Sequence, residues 1–200
     1  LEEALGRVSR PTVLIDPLDE ALRPGSRFAR LSYTRDDSAQ VGKAGAEYFL
    51  ERGHTRFAYV GDALNRNWSI RRGESFSNRL AEAGYACDIY PARRKSAAGA
   101  DDSHVLAEWL LGLPKPIALL AAMDTRACQV LELCEAIGVR VPQDLSVLGI
   151  DNDELICNGS VPTLSSIRRE TEHCGFMAAG MLDRLMRRET RKREVFLYGV

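Results

Sequence analysis

Neither sign of charge dominates this chain: 27 Lys and Arg stand against 28 Asp and Glu, a formal net charge of −1 over 200 residues. A general attraction to nucleic acid or to an anionic membrane surface is therefore not expected. No apolar run approaches the length that a spanning helix needs. Residues 1–11 carry two early acids and lack a basic segment followed by a hydrophobic stretch, so no secretory signal is expected there. Without export, the acceptor-like triplets Asn67-Trp68-Ser69 and Asn158-Gly159-Ser160 have no consequence. The cysteines Cys87, Cys128, Cys134, Cys157 and Cys174 are odd in number and form no C-x-x-C pair, which suits small core fillers in a reducing, cytoplasmic compartment. His54, His104 and His173 have no partner at metal-ligand spacing, so no metal site and no cofactor are proposed. The chain also lacks a Gly-x-Ser-x-Gly elbow, a Gly-x-x-x-x-Gly-Lys loop, a Gly-x-Gly-x-x-Gly fingerprint and a His-Glu-x-x-His pair.

What is present is a repeated pattern in a chain that is 45% hydrophobic and 28% charged, enough apolar residue for a sizeable core. Short apolar runs stop abruptly at acids. Leu145 to Ile150 ends at Asp151-Asn152-Asp153, Ile117 to Met123 at Asp124, Phe57 to Gly61 at Asp62, and Thr12 to Ile15 at Asp16. Buried parallel strands read as continuous apolar runs, and ligands of open parallel sheets sit beyond the carboxyl ends of the strands. An acid at that place can grip a ligand; it can equally cap the following turn, and both readings stand for Asp151 and Asp153.

Helical periodicity fills the gaps between the runs. Val41, Ala44, Gly45, Tyr48 and Phe49 share one face before Gly53. A second helix is expected over about residues 68–83, burying Phe76, Leu80 and Ala83 before Gly84. A third is expected over roughly residues 101–111. The fourth begins at Asp124 as N-cap and lines up Ala127, Val130, Leu131, Cys134 and Ile137 before Gly138. The fifth aligns Cys174, Met177, Ala178, Met181, Leu182 and Leu185. Extended segments are expected near Thr12, from Phe28 to Tyr33, from Ala86 to Tyr90, from Thr163 to Ile167, and near residues 194–198. Alternating strands and helices imply doubly wound α/β architecture. The stretch 56–150 makes a complete layered unit, whereas residues before 54 do not. The expected organisation is therefore two lobes: residues 1–54 with 163–190 as a partial N-terminal lobe, and residues 55–162 with 191–200 as a C-terminal lobe. Three crossings near residues 54, 163 and 190 would form a hinge beside a ligand cleft.

The run 124–167, with Asp124-Thr125-Arg126-Ala127, Val139 to Leu155 and Pro162 to Ile167, resembles the lactose-repressor superfamily of sugar sensors. Asp151-Asn152-Asp153-Glu154-Leu155 and Trp68-Ser69-Ile70-Arg71-Arg72 resemble the sensor part of xylose-operon activators of the AraC type. The likeness extends from Pro11 to Val200. It implies two Rossmann-like lobes of the periplasmic-binding-protein type I, the first incomplete here, and a helix-turn-helix DNA-binding domain outside this chain. It also implies a homodimeric regulator with a small sugar, by default xylose, as effector. Carried over by position, Asp16 would close the cleft from the first lobe, and Arg72, Asp124 and Asp151 would hold the sugar from the second, with Trp68 as a wall. Carboxylates accept from vicinal hydroxyls and a guanidinium donates two bonds at once. Arg71, Arg126 and Asn152 are weaker candidates. Arg71 and Arg72 also suit a solvated helix face, Trp68 a packing role, and Arg126 a pair with a neighbouring acid. The basic run Arg187-Arg188 and Arg191-Lys192-Arg193 suits a helix C-terminus more than DNA. An α/β enzyme acting on sugars or phosphate esters, and a free-standing solute-binding protein, are the alternative functions.

Overall fold

The computed structural model describes residues 10–91, 102–190 and 192–200. They fall into two compact units, the described parts of 1–37 and 170–199 in one, and those of 38–169 with Val200 in the other. The α/β class with parallel sheets is as the alternating pattern implies.

The larger unit carries a five-stranded sheet in the order β4-β3-β5-β6-β7, every pairing parallel. Its strands are β3 (Phe57–Val60), β4 (Cys87–Ile89), β5 (Ile117–Ala121), β6 (Leu145–Ile150) and β7 (Ser165–Ile167). Helices α1 (Ser38–Glu51), α2 (Asn67–Glu82), α3 (Ser103–Gly112), α4 (Asp124–Ile137) and the short α5 (Glu154–Gly159) connect them. Alternation along the central strands divides the core. Ala58, Val60, Ile117, Leu119 and Ala121 pack with Leu106, Leu110, Val130 and Cys134 of α3 and α4. Phe57, Tyr59, Ala118, Leu120 and Leu148 pack with Val41, Phe49, Phe76 and Leu80 of α1 and α2. Each large side chain buried this way contributes about 1.5–3 kcal/mol. Layers on both faces explain why β3 and β5 are apolar at every position.

Helices α1 and α2 approach closely because Gly42 faces the α2 backbone: a Cβ there would lie 2.1 Å from the Arg72 carbonyl oxygen. Gly138 ends α4 in the left-handed region at φ 75°.

The smaller unit has a three-stranded parallel sheet, β1 (Val13–Ile15), β2 (Ser32–Asp36) and β8 (Val195–Tyr198), in the order β1-β2-β8. Helix α6 (Thr171–Met186) buries Cys174, Ala178 and Met181; Met177, Leu182 and Leu185, expected on the same stripe, are half-buried.

Several expectations need correction. The lobe boundaries differ: α1 and β7 belong to the larger unit, and β8 to the smaller one. The cause is partner choice, since α1 buries Val41 and Phe49 with Phe57 and Phe76, β7 hydrogen-bonds β6, and β8 hydrogen-bonds β2. The chain passes between units after Asp37, after Arg169 and after Gly199, not near 54, 163 and 190. The strand expected from Phe28 begins later, at Ser32. Ser26 caps a 3-10 turn, Arg27–Arg30, that buries Phe28. Ala83 is exposed, because α2 turns its face of Ser69, Arg72, Gly73, Phe76 and Leu80 inward. Met123, not Asp124, is the N-cap of α4, and the Asp124 carboxylate is directed elsewhere. Gly159 closes α5, and Ser160 is buried with its hydroxyl donating to the Ile156 carbonyl. Asp101 and Arg191 lie outside the described residues.

Candidate ligand-binding site

The carboxyl end of β6 is fastened amide by amide. Asp151 N donates to the Ile167 carbonyl at 3.0 Å, Asn152 N to Ser166 Oγ at 3.0 Å, and Asp153 N to Asp124 Oδ2 at 2.8 Å. These bonds hold Asp151 at φ 119° and Asn152 at φ 54°, values that residues with a Cβ adopt at a cost. Asp153 then caps α5, its Oδ1 accepting from Leu155 N and Ile156 N. The capping reading therefore describes Asp153 and not Asp151. The Asp151 carboxylate projects from this bracket and accepts at Oδ1 from Arg169 Nε at 2.7 Å. The two side chains keep 27% and 18% of their exposure, so the pair is reachable from solvent. Burial pushes the Asp151 carboxyl above its ordinary range; Arg169 and then Arg72 pull it down, and Asp124 pushes it up again.

Asp151, Asp124 and Arg72 thus share one end of the larger sheet. Arg72 projects from the buried face of α2, and its Nη1 donates to the Ala122 carbonyl at 2.5 Å, just past the end of β5. Its guanidinium carbon lies 4.7 Å from the centre of the Trp68 ring, one turn earlier on the same helix. Trp68 is half-buried and also packs on the α1–α2 side of the core.

Asp124 is 1% exposed and fully occupied. Oδ1 accepts from the Ser166 hydroxyl at 2.5 Å, and Oδ2 from Asp153 N and, at 3.6 Å, from Cys157 Sγ. It ties the ends of β5, β6 and β7 together from beneath. Burial raises its carboxyl above the usual range, with the Ser166, Asp153 and Cys157 hydrogen bonds opposing. A Cβ at position 149 would lie 2.2 Å from Asp124 Oδ1, so the glycine in β6 makes room for this carboxylate.

The remaining candidates make contacts of their own. Asp16 lies in the smaller unit, after β1, at φ 45°; its Oδ1 accepts from Asp36 N at 3.1 Å and its Oδ2 from the Tyr198 hydroxyl at 2.6 Å. Arg71 is exposed and lines a groove of about 310 Å³ between α1 and α2 with Lys43, Glu74 and Arg79, on another face from Arg72. Arg126 is engaged in a bidentate pair with Asp102, at 2.9 and 2.6 Å, and donates through Nε to the Gly61 carbonyl at 3.2 Å. This is the acid-pairing alternative for that residue. Asn152 is exposed and held through its backbone amide. Arg169 and Ser166 were not singled out from the sequence. The signal available was Arg168-Arg169 placed directly after the short extended segment that ends at Ile167. Among the described residues, no group of three or more His, Cys, Asp and Glu side chains is placed to hold a metal ion. Nor is any described helix long and apolar enough to cross a membrane.

A family model described as a periplasmic binding protein-like domain matches residues 46–199. The chain belongs to that family. This periplasmic binding protein-like chain is 31% identical over 195 residues to the xylose operon regulatory protein of Escherichia coli strain K12, which covers 94% of this chain and 48% of the relative. Among solved structures, that of a xylose-binding transcription activator, xylR, superposes with a TM-score of 0.78 at 28% identity, over 99% of this chain and 52% of the other. A LacI family transcriptional regulator from Mycobacterium smegmatis, with a TM-score of 0.75 at 22% identity over 98% of this chain and 77% of the other, shares the fold. The periplasmic-binding-protein-like α/β fold implied by the resemblance of residues 124–167 is shown by these matches. The chain spans about half the length of the curated relatives it matches.

Proposed function

We propose that this chain is the ligand-sensing domain of a bacterial-type transcriptional regulator and binds a small neutral sugar, with a pentose such as xylose as first choice. One observation carries the reading. At the carboxyl end of the larger sheet, Asp151 offers Oδ2, which has no hydrogen-bond partner among the described residues, within the electrostatic reach of Arg72 and Arg169. A carboxylate acceptor beside guanidinium donors complements neighbouring hydroxyls, and the half-buried Trp68 ring supplies a face for C–H surface. Relatives named as regulators of a xylose operon support the sugar class. In the whole protein, the sensor passes its signal to a separate AraC-type helix-turn-helix domain, and binding acts by favouring one arrangement of a homodimer over another.

A thermal-shift screen of pentoses and hexoses tests the reading, since a ligand that binds the native state raises the melting temperature with its concentration. D-xylose or another pentose should stabilise the chain. No shift with any sugar sinks the proposal. Asp151→Ala should weaken the binding seen by calorimetry about ten-fold or more, because a charge-assisted hydrogen bond contributes about 1.5–3 kcal/mol. Sugar recovered chemically unchanged after prolonged incubation is the expected result; conversion of the sugar would instead favour the enzyme alternative. Sedimentation equilibrium tests the dimer.

A further inference from the structure

We propose that Arg169 is a positioning residue for ligand recognition: it fixes one oxygen of Asp151 so that the other is presented to a hydroxyl of the ligand. The inference rests on the sugar-binding reading above and names a residue that neither the sequence pattern nor the matches assign to it.

The geometry is specific. Asp151 follows β6 and Arg169 follows β7, and the two strands pair in register from Leu148 with Ser165 to Ile150 with Ile167. Asp151 N is bonded to the Ile167 carbonyl, so the carboxylate and the guanidinium rise from adjoining strand ends that are already tied together. Arg169 reaches Oδ1 through Nε, the inner donor of the side chain, at 2.7 Å. The carboxylate plane is thereby set, and Oδ2 is left as an acceptor with no partner among the described residues. A lone carboxylate on a three-residue loop would rotate freely and lose that entropy on binding; the pair removes the loss beforehand.

Ionisation is the second part. Of the groups around Asp151, Arg169 from the end of β7 and Arg72 from α2 favour the charged form, whereas Asp124 at the start of α4 and burial itself oppose it. Arg169 is the strongest of the favourable influences. Without it the carboxyl would hold its proton to higher pH and present a hydroxyl where the ligand needs an acceptor.

The experiment uses the full chain, D-xylose as probe, and four proteins: the unsubstituted chain, Arg169→Gln, Arg169→Lys and Asp151→Asn. Calorimetric titrations run from acid to neutral pH, beside carbon NMR of the Asp151 carboxyl without sugar. Arg169→Gln should bind roughly ten-fold more weakly. Its loss of affinity on acidification should begin at higher pH than in the unsubstituted chain, matched by a raised Asp151 midpoint. Arg169→Lys should restore the midpoint and part of the affinity, and Asp151→Asn should bind weakly with no pH dependence in this range. If the unsubstituted chain binds xylose and Asp151→Asn does not, while Arg169→Gln keeps both the affinity and the Asp151 midpoint, Arg169 has no such role and the sugar-binding reading survives. If the unsubstituted chain binds no sugar, both fail.

Discussion

Asp124 shows how one side chain can have the right position for a ligand residue and the geometry of a fastener. Both oxygens are consumed by Ser166, Asp153 and Cys157, and the residue is 1% exposed. Asp124→Ala should cost about 2–4 kcal/mol in urea denaturation, because it removes the acceptor of the Asp153 amide and of the Ser166 hydroxyl at once. Asp124→Asn should cost less, since a turned amide still accepts from Asp153 N while donating to Ser166 Oγ. Gly149→Ala should destabilise by about 2–3 kcal/mol, as the new methyl group competes with Asp124 Oδ1 for the same space. Combined with Asp124→Ala, it should cost less than the sum of the two, and a double-mutant cycle measures the difference. The strand-end position of Asp124 and Asp151 was legible in the sequence, because apolar runs ending in acids are local patterns. The Arg169 partnership was not: 18 residues separate it from Asp151, and only the β6–β7 pairing brings the two together.

At the scale of elements, α1 and α2 depend on contact between backbones. Gly42 places its Cα side against the Arg72 carbonyl, the residue whose guanidinium reaches Ala122. Gly42→Ala would require the helices to separate, since the obstacle is main chain and cannot rotate away. We expect a loss of about 2–3 kcal/mol in chemical denaturation, with a measurable drop in sugar affinity as Arg72 is displaced. Phe76→Ala, in the same interface, should cost about 3–5 kcal/mol through the cavity it leaves. The helical faces were read well where the apolar period is strong, as in Ala127, Val130, Leu131 and Cys134. They were misjudged at Ala83, where a small residue near a helix end fits an exposed position equally well. Phe28 misled in the same way. One buried aromatic suggested a strand where Ser26 caps a turn.

For the molecule as a whole, the carboxyl groups predict the response of stability to pH. Asp102, held below its ordinary range first by its hydrogen bonds to Arg126, and Asp144, pulled to about 2 by Arg140, stabilise the fold above 3.8, and that contribution is lost as pH falls through their lowered values. Asp124 and Asp151 act in the opposite sense: their raised values favour the fold below 3.8, and that contribution is lost as pH rises through the folded values. Urea midpoints measured across this range should therefore pass through a maximum in mild acid. Asp151→Asn should flatten the decline on the neutral side, and Arg126→Gln should flatten the fall on the acid side. Arg126→Gln should also lower stability by about 2–3 kcal/mol at neutral pH through the broken pair.

By itself the sequence determined the alternation of strands and helices, the parallel class of the sheets, and the strand-end location of the candidate acids. Each of these follows from periodicity or from residues a few positions apart, which the chain encodes locally. Tertiary structure alone decided which sheet receives α1, that β8 lies beside β2, and that Asp151 finds Arg169 while Arg126 finds Asp102. An amphipathic face states that something must cover it but carries no address, because burial of apolar surface is non-directional. The partner is chosen by strand pairing and close packing across the whole chain.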